Sequence, residues 1–228
     1  MHPQLPLPFK LKEAFNFESF IATENQLVIK SLKDADEPFI FLWGDIGTGK
    51  SHLLQSACQR QSQLGGTASY LPAKELLGTS AKILEGLANL DLICIDDIDI
   101  LCEKADWEEA LFNLFNQIKQ QTGRLIVSAT VSPQHLQISL NDLQSRLNSG
   151  LPLNLAPLSD ESTLQALQAR AQKLGLELNR ETANYLMTHF PRNLHTLWNL
   201  LNTLDKASLA AQRKLTIPFL KSTLSKSI

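Results

Sequence analysis

The sequence predicts an α/β fold: a doubly wound parallel sheet built on a phosphate-binding loop, followed by a small all-α domain. Three observations carry this. Residues 44–51 read Gly-Asp-Ile-Gly-Thr-Gly-Lys-Ser, a complete G-x-x-x-x-G-K-S loop between an apolar run and a helical pattern. Apolar runs without alternation then recur between helical stretches, as they do in strands covered on both faces. Composition shifts at Ala156-Pro157-Leu158-Ser159, and only helical patterns lie beyond it. The expected organisation is an extended tail over 1–14, a nucleotide-binding α/β domain over 15–156 and a helical lid over 157–228.

Taken in order, the tail carries prolines at 3, 6 and 8, which disfavour helix and central strand. Gln4, Leu5, Leu7 and Phe9 give it an alternating apolar edge. Such a segment either packs on its own domain or enters a groove on a partner. Phe15, Phe17 and Phe20 follow, as core or as a flank for an adenine ring. Leu27, Val28 and Leu32 have helical spacing. Phe39–Trp43 is the first buried strand. After the loop, Leu53, Leu54, Ala57 and Cys58 mark a helix, Gly65-Gly66 a turn and Ala68–Leu71 a second strand. Residues 74–88 read as helical or mixed, interrupted by Gly78 and Gly86. Leu92–Ile95 is an apolar strand ending in Asp96 and Asp97. Trp107, Leu111, Leu114, Phe115 and Ile118 share one helical face. Arg124–Ala129 is the next strand, then a short helix over 141–147 with Arg146, then a strand at 151–155. Pro152 sends that strand to an edge or makes it a strand start.

Beyond residue 156, Ser159 reads as an N-cap with Asp160 and Glu161 in the first turn. Leu164, Leu167, Ala171 and Leu174 form one face, and Gly175 stops the helix. Asn179 caps the next, with Ala183, Leu186, Met187 and Phe190 inward and Pro191 at its end. Leu194, Leu197, Trp198, Leu201 and Leu204 stripe a third. Thr216 caps a last one, with Pro218 in its first turn.

The bulk numbers set limits. The chain has 228 residues, 21 basic and 23 acidic, for a net charge of −2. That balance supplies no overall field for nucleic acid, so any DNA contact is expected to be indirect or weak. No stretch approaches a membrane span. Cys58, Cys94 and Cys102 have no metal-ligand spacing, and an odd number without a framework suits a reducing, cytoplasmic setting.

The chemistry centres on the loop. Gly44, Asp45, Ile46, Gly47, Thr48 and Gly49 turn backbone N–H groups inward, and the following helix adds its positive end. Lys50 reaches the β- and γ-phosphates, and the Ser51 hydroxyl ligates Mg²⁺. Asp96, at a strand's carboxyl end, is placed to hold Mg²⁺ directly or through water, and Asp97 to polarise a water. Ser128, ending the neighbouring strand, is a candidate γ-phosphate sensor.

With these residues in hand, the chain resembles the AAA+ ATPases, in their DnaA-related branch. The resemblance covers residues 15–228. It rests on Gly44–Ser51 followed by His52-Leu53-Leu54, on Ile95-Asp96-Asp97-Ile98, on Ser145-Arg146-Leu147 and on Arg192. Within the branch the chain looks most like the regulatory inactivators of DnaA, which join an AAA+ domain and lid to an N-terminal clamp-binding peptide. The chain ends at Ile228, after the lid, and a DNA-binding helix-turn-helix domain is not expected. Gln4-Leu5-x-Leu7-x-Phe9 is similar to the peptide that bacterial proteins insert into the polymerase sliding clamp. The resemblance implies bound ADP or ATP with Mg²⁺ and nucleotide contacts from Gly44–His52. It implies Arg146 as an arginine finger offered in trans, Arg192 as a second sensor, and Ser128 at the first-sensor position. It implies the sliding clamp and DnaA as partners, a homo-oligomer such as a dimer, a bacterial replisome setting and weak or absent hydrolysis of its own. Asp97 stands where typical AAA+ hydrolases use Glu. On the residues alone, both arginines read as surface or interface ion pairs.

Overall fold

The computed structural model describes residues 15–34, 36–211 and 214–224. The tail peptide Gln4–Phe9 lies outside them. By contact density the chain forms two compact units, one running up to Asp45 and over Gly49–Ala156, the other holding Ile46–Thr48 and the residues from Pro157 onward.

The first unit runs α1 (Gln26–Lys33), β1 (Phe39–Trp43), α2 (Lys50–Gln63), β2 (Ala68–Pro72), α3 (Ala73–Leu76), β3 (Leu92–Asp96), α4 (Ala105–Lys119), β4 (Arg124–Ala129), α5 (Asn141–Asn148) and β5 (Leu151–Asn154). Its strands form one parallel sheet in the order β2-β3-β4-β1-β5. The chain therefore leaves an interior strand after β1, starts again at the far edge, and returns across β1 to reach β5. Register does the positioning. Leu42 pairs with Ser128 and Ile95 with Val127, so the carboxyl ends of β1, β4 and β3 lie side by side.

Why these runs are strands follows from what covers them. Phe39, Phe41, Ile93, Ile95, Leu125 and Val127 face one side, against Trp107, Leu111, Leu114, Phe115 and Ile118 of α4. Ile40, Leu42, Cys94 and Ile126 face the other, against Leu53, Leu54, Ala57 and Cys58 of α2 and Val28, Ile29 and Leu32 of α1. Alternate residues go to opposite faces and both faces are buried, hence apolar runs without alternation. All three cysteines are buried. Residues 74–88 resolve into the short α3 and 3₁₀ turns, with Gly86 at φ 81° opening the second of them. β5 is the edge strand, where Pro152 needs no ladder donor of its own.

The second unit contains α6 (Asp160–Lys173), α7 (Arg180–His189), α8 (Leu194–Ala211) and α9 (Ile217–Leu224). Side-chain oxygens of Ser159, Asn179 and Asn193 cap the first three, accepting from Ser162 N at 3.2 Å, Thr182 N at 2.8 Å and Thr196 N at 2.8 Å. Gly175 takes φ 75° just past α6. Leu164, Leu167, Ala183, Leu186, Leu197, Leu201 and Leu204 make its core with Leu220 and Leu224. Among the described residues no helix is long and apolar enough to cross a membrane.

One polar clamp closes the first unit. Asn25, 3% exposed, donates through Nδ2 to Ala156 O at 2.9 Å and accepts from Ala156 N at 2.9 Å. It ties the end of the sheet to the start of α1. Asn25→Ala leaves both Ala156 groups unpaired, and a loss of about 2–4 kcal/mol in unfolding free energy is expected by urea titration. An unchanged midpoint would show that water replaces the amide without cost.

Candidate functional site

The phosphate loop connects β1 to α2. Gly49 takes φ 104° as the residue before α2, and a Cβ there would stand 2.6 Å from Phe20 Cε2. Only glycine fits on both counts. The Lys50 side chain is buried at 6% exposure and curls back over its own loop. Its Nζ donates to Gly44 O at 2.8 Å and to Asp45 O at 3.2 Å. An ammonium has three protons, so one donor remains, beside the positive end of a 14-residue helix. That combination fits a phosphate group.

His52 goes elsewhere. Its ring stacks on Phe15 at 4.5 Å and meets Phe20 edge-on. Its Nε2 lies 2.9 Å from Asn16 O and 3.2 Å from Ser19 Oγ. Burial lowers its pKa, and the Asn16 carbonyl partly offsets this. So His52 fastens the aromatic segment 15–20 to α2.

The carboxylates form a second cluster. Asp96, 3% exposed, accepts from Ser128 Oγ at 2.5 Å on Oδ1 and from Tyr70 OH at 2.7 Å on Oδ2. Ser128 in turn accepts from Asp97 N at 2.9 Å. The one proton of the Ser128 hydroxyl is thus committed to Asp96. Asp97 adopts a left-handed backbone (φ 55°, ψ 54°), which turns its side chain away from the strand direction. Burial first, and then the charge of Asp96, pushes its pKa up to about 6, while Lys50 pulls it down. Asp99 accepts from Thr130 N at 3.1 Å and Thr130 Oγ1 at 2.5 Å. Burial first, and then the charge of Asp96, raises the Tyr70 pKa, while the side chains of Gln55 and Ser51 lower it. The Ser51 hydroxyl and the Asp96 and Asp97 carboxylates are hard oxygen donors of the kind Mg²⁺ takes. Sequence reasoning missed Tyr70, because the β2–β3 adjacency that brings it to Asp96 leaves no local pattern.

Arg146 is half-buried on α5, its guanidinium 5.9 Å from the Phe115 ring on α4. Among the described residues, the ion pairs do not include it. Glu108 holds the start of that helix. This α4 carboxylate is 1% exposed and accepts from Glu103 N at 2.8 Å, Ser139 N at 3.1 Å and Leu140 N at 2.8 Å. These backbone donors and the positive helix end satisfy its charge. Arg192, in the second unit, donates to Met187 O at 3.2 Å and pairs with Asp160 at 2.7 Å. Its side chain is 60% exposed, so that pair adds little stability.

Comparison with known proteins now bears on this arrangement. The family model "Bacterial DnaA ATPAse domain" matches residues 11–154, more than half of the chain. This chain belongs to the DnaA-related AAA+ family. The model "Hda, lid domain" matches residues 160–224. An uncharacterized protein of Haemophilus influenzae is 41% identical over 99% of this chain and all of its own length. Domain III of the Thermotoga maritima replication initiation protein DnaA superposes with a TM-score of 0.82 at 21% identity, covering 96% of this chain and 98% of that one. AMPPCP-bound DnaA from Aquifex aeolicus gives 0.75 at 26%, covering 88% of this chain and 67% of its own. The fold is therefore the P-loop AAA+ α/β sheet with a helical lid domain.

Two outcomes are expected here. Asp97 has a folded-state pKa raised from 3.8 to about 6, so its contribution to stability is full below 3.8 and is lost as pH rises through about 6. The stability difference between the native protein and Asp97→Asn, from urea titrations across that window, should shift against the native protein as pH rises. A pH-independent difference would rule the shift out. Glu108→Ala takes the acceptor from three part-buried backbone N–H bonds and should cost about 2–4 kcal/mol, with Glu108→Gln milder because one oxygen still accepts.

Proposed function

We propose that this protein is a nucleotide-bound regulator of replication initiation that acts on DnaA. The tail Gln4–Phe9 docks on the DNA polymerase sliding clamp. Arg146 then enters the nucleotide site of ATP-bound DnaA and completes it in trans. DnaA converts to its ADP form, and initiation does not repeat. Clamp loading thereby reports that replication is under way.

The observation that carries this is the state of Arg146. A permanently charged, planar group sits on a short helix fixed to α4 through Glu108 and Phe115, with no carboxylate partner among the described residues. An arginine so held costs little to redirect onto a phosphoryl group, where such a finger changes rates by orders of magnitude. The family supports DnaA as the partner, and the AMPPCP-bound relative supports an adenine nucleotide at Gly44–Ser51. When bound, Mg²⁺ would shield phosphate charge. Of this chain's residues, Ser51 would hold it, with Asp96 behind, while Lys50 and the loop N–H groups hold phosphate.

A second function, ATP turnover by this chain alone, is favoured by the intact Gly49-Lys50-Ser51 ending and the Asp96–Asp97 pair. Strong hydrolysis without clamp or DnaA would establish it.

The deciding assay follows ATP hydrolysis by DnaA with clamp, DNA and this protein present. Arg146→Ala is expected to return DnaA to its unstimulated rate while clamp capture persists. Leu7→Ala with Phe9→Ala should abolish clamp capture. Undiminished stimulation by Arg146→Ala refutes the finger.

A further inference from the structure

The second unit includes the tip of the phosphate loop, Ile46–Thr48. Gly47 there takes φ 84°, and a Cβ on it would collide with Asn193 Cβ. The start of α8 therefore rests directly on the loop tip. That start is well anchored, because the Asn193 side chain caps α8, accepting from Thr196 N at 2.8 Å. Arg192 is the residue before the cap, so its side chain springs from beside a loop built to take phosphate. The guanidinium is turned back instead. Its Nε donates to Met187 O at 3.2 Å and so caps the last turn of α7, while Nη1 pairs with Asp160 Oδ1 at 2.7 Å. Asp160 stands in the first turn of α6, where the Ser159 cap and the positive helix end favour a carboxylate. Among the described residues this is the one ion pair that Arg192 makes.

We propose that Asp160 competes with bound nucleotide for Arg192: the carboxylate holds the guanidinium until a nucleotide phosphate at the loop draws it over. The proposal rests on the nucleotide assignment above and adds to it the group that opposes binding. Carboxylate and phosphate offer the same spaced oxygens to the planar fork of an arginine, so the two are interchangeable partners. Phosphate carries more charge, and the loop N–H groups and the positive end of α2 keep it in place. The pair with Asp160 is weak enough to yield, since its side chains are 60% and 71% exposed. It is also strong enough to be felt. While Arg192 rests on Asp160 the nucleotide lacks one of its contacts, and the apparent affinity falls with the fraction of molecules in that state. For an exposed pair the effect is about two- to fivefold. Only the side chain needs to turn, because Asn193 keeps the start of α8 against Gly47 whichever anion Arg192 takes.

The test measures binding of a fluorescent, non-hydrolysable ATP analogue to the full chain. Asp160→Asn should tighten binding about two- to fivefold. Arg192→Ala should weaken it. The double variant should bind no better than Arg192→Ala, since Asp160 then has no arginine to hold. Loss of a first-turn acid loosens α6, which works against binding, so a tighter complex has no purely structural origin. Unchanged or weaker binding by Asp160→Asn overturns the competition. So does an equal gain in the Arg192→Ala background, which would mark plain repulsion between Asp160 and the nucleotide. Arg192→Ala binding as tightly as the native protein overturns it too, because the arginine then makes no contact worth competing for. If Lys50→Ala binds the analogue as well as the native protein does, the nucleotide assignment itself falls and takes the competition with it.

Discussion

A carboxylate buried at the end of a parallel strand must be satisfied by its neighbours, and Asp96 is satisfied from both sides. Ser128 reaches it from β4 and Tyr70 from β2. Those bonds are charge-assisted and dry, so each is worth more than a neutral one and more costly to lose. They link the carboxyl ends of three adjacent strands. Since β4 also pairs with β1, the same links fix the sheet edge from which the phosphate loop springs. The geometry of the loop follows from that edge.

The loop and the carboxylates are complementary in charge but are built differently. Lys50 folds back on carbonyls of its own loop, a local arrangement that any glycine-rich turn into a helix can form. The acidic side is assembled from β2, β3 and β4. Asp97 feels both: it sits beside Asp96, which raises its pKa, and within reach of the Lys50 charge, which lowers it. A group poised near neutrality in this way suits proton handling better than a fully ionised one.

The arginine rests on a separate piece of physics. α5 has eight residues, too short to hold its own direction. Packing of Leu143 and Leu147 against the α4 face, and the buried Glu108 carboxylate on the N–H groups of Ser139 and Leu140, hold it. An arginine at its sixth position inherits that rigidity. Arg192 differs, since its guanidinium is paired with an exposed aspartate and can exchange partners with little cost.

Local signals in the sequence were enough for the elements. The loop, the unbroken apolar runs and the caps at Ser159 and Asn179 each depend on residues within a few positions, and each forms as the pattern says. The lid helices follow for the same reason. The pairings across the sheet were not legible. Asp96 to Tyr70 spans 26 positions and Glu108 to Leu140 spans 32, and neither spacing has a period. The resemblance puts His52 among the nucleotide contacts, and in the fold its ring meets Phe15 and Phe20. By itself, then, the sequence determined a phosphate loop on a parallel α/β sheet and four helices after it, three of them with their caps. The tertiary structure alone decided which hydroxyls meet Asp96 and what steadies Arg146. Strand order and helix packing bring those groups together, and hydrogen bonds between residues far apart in the chain leave no periodic trace in it.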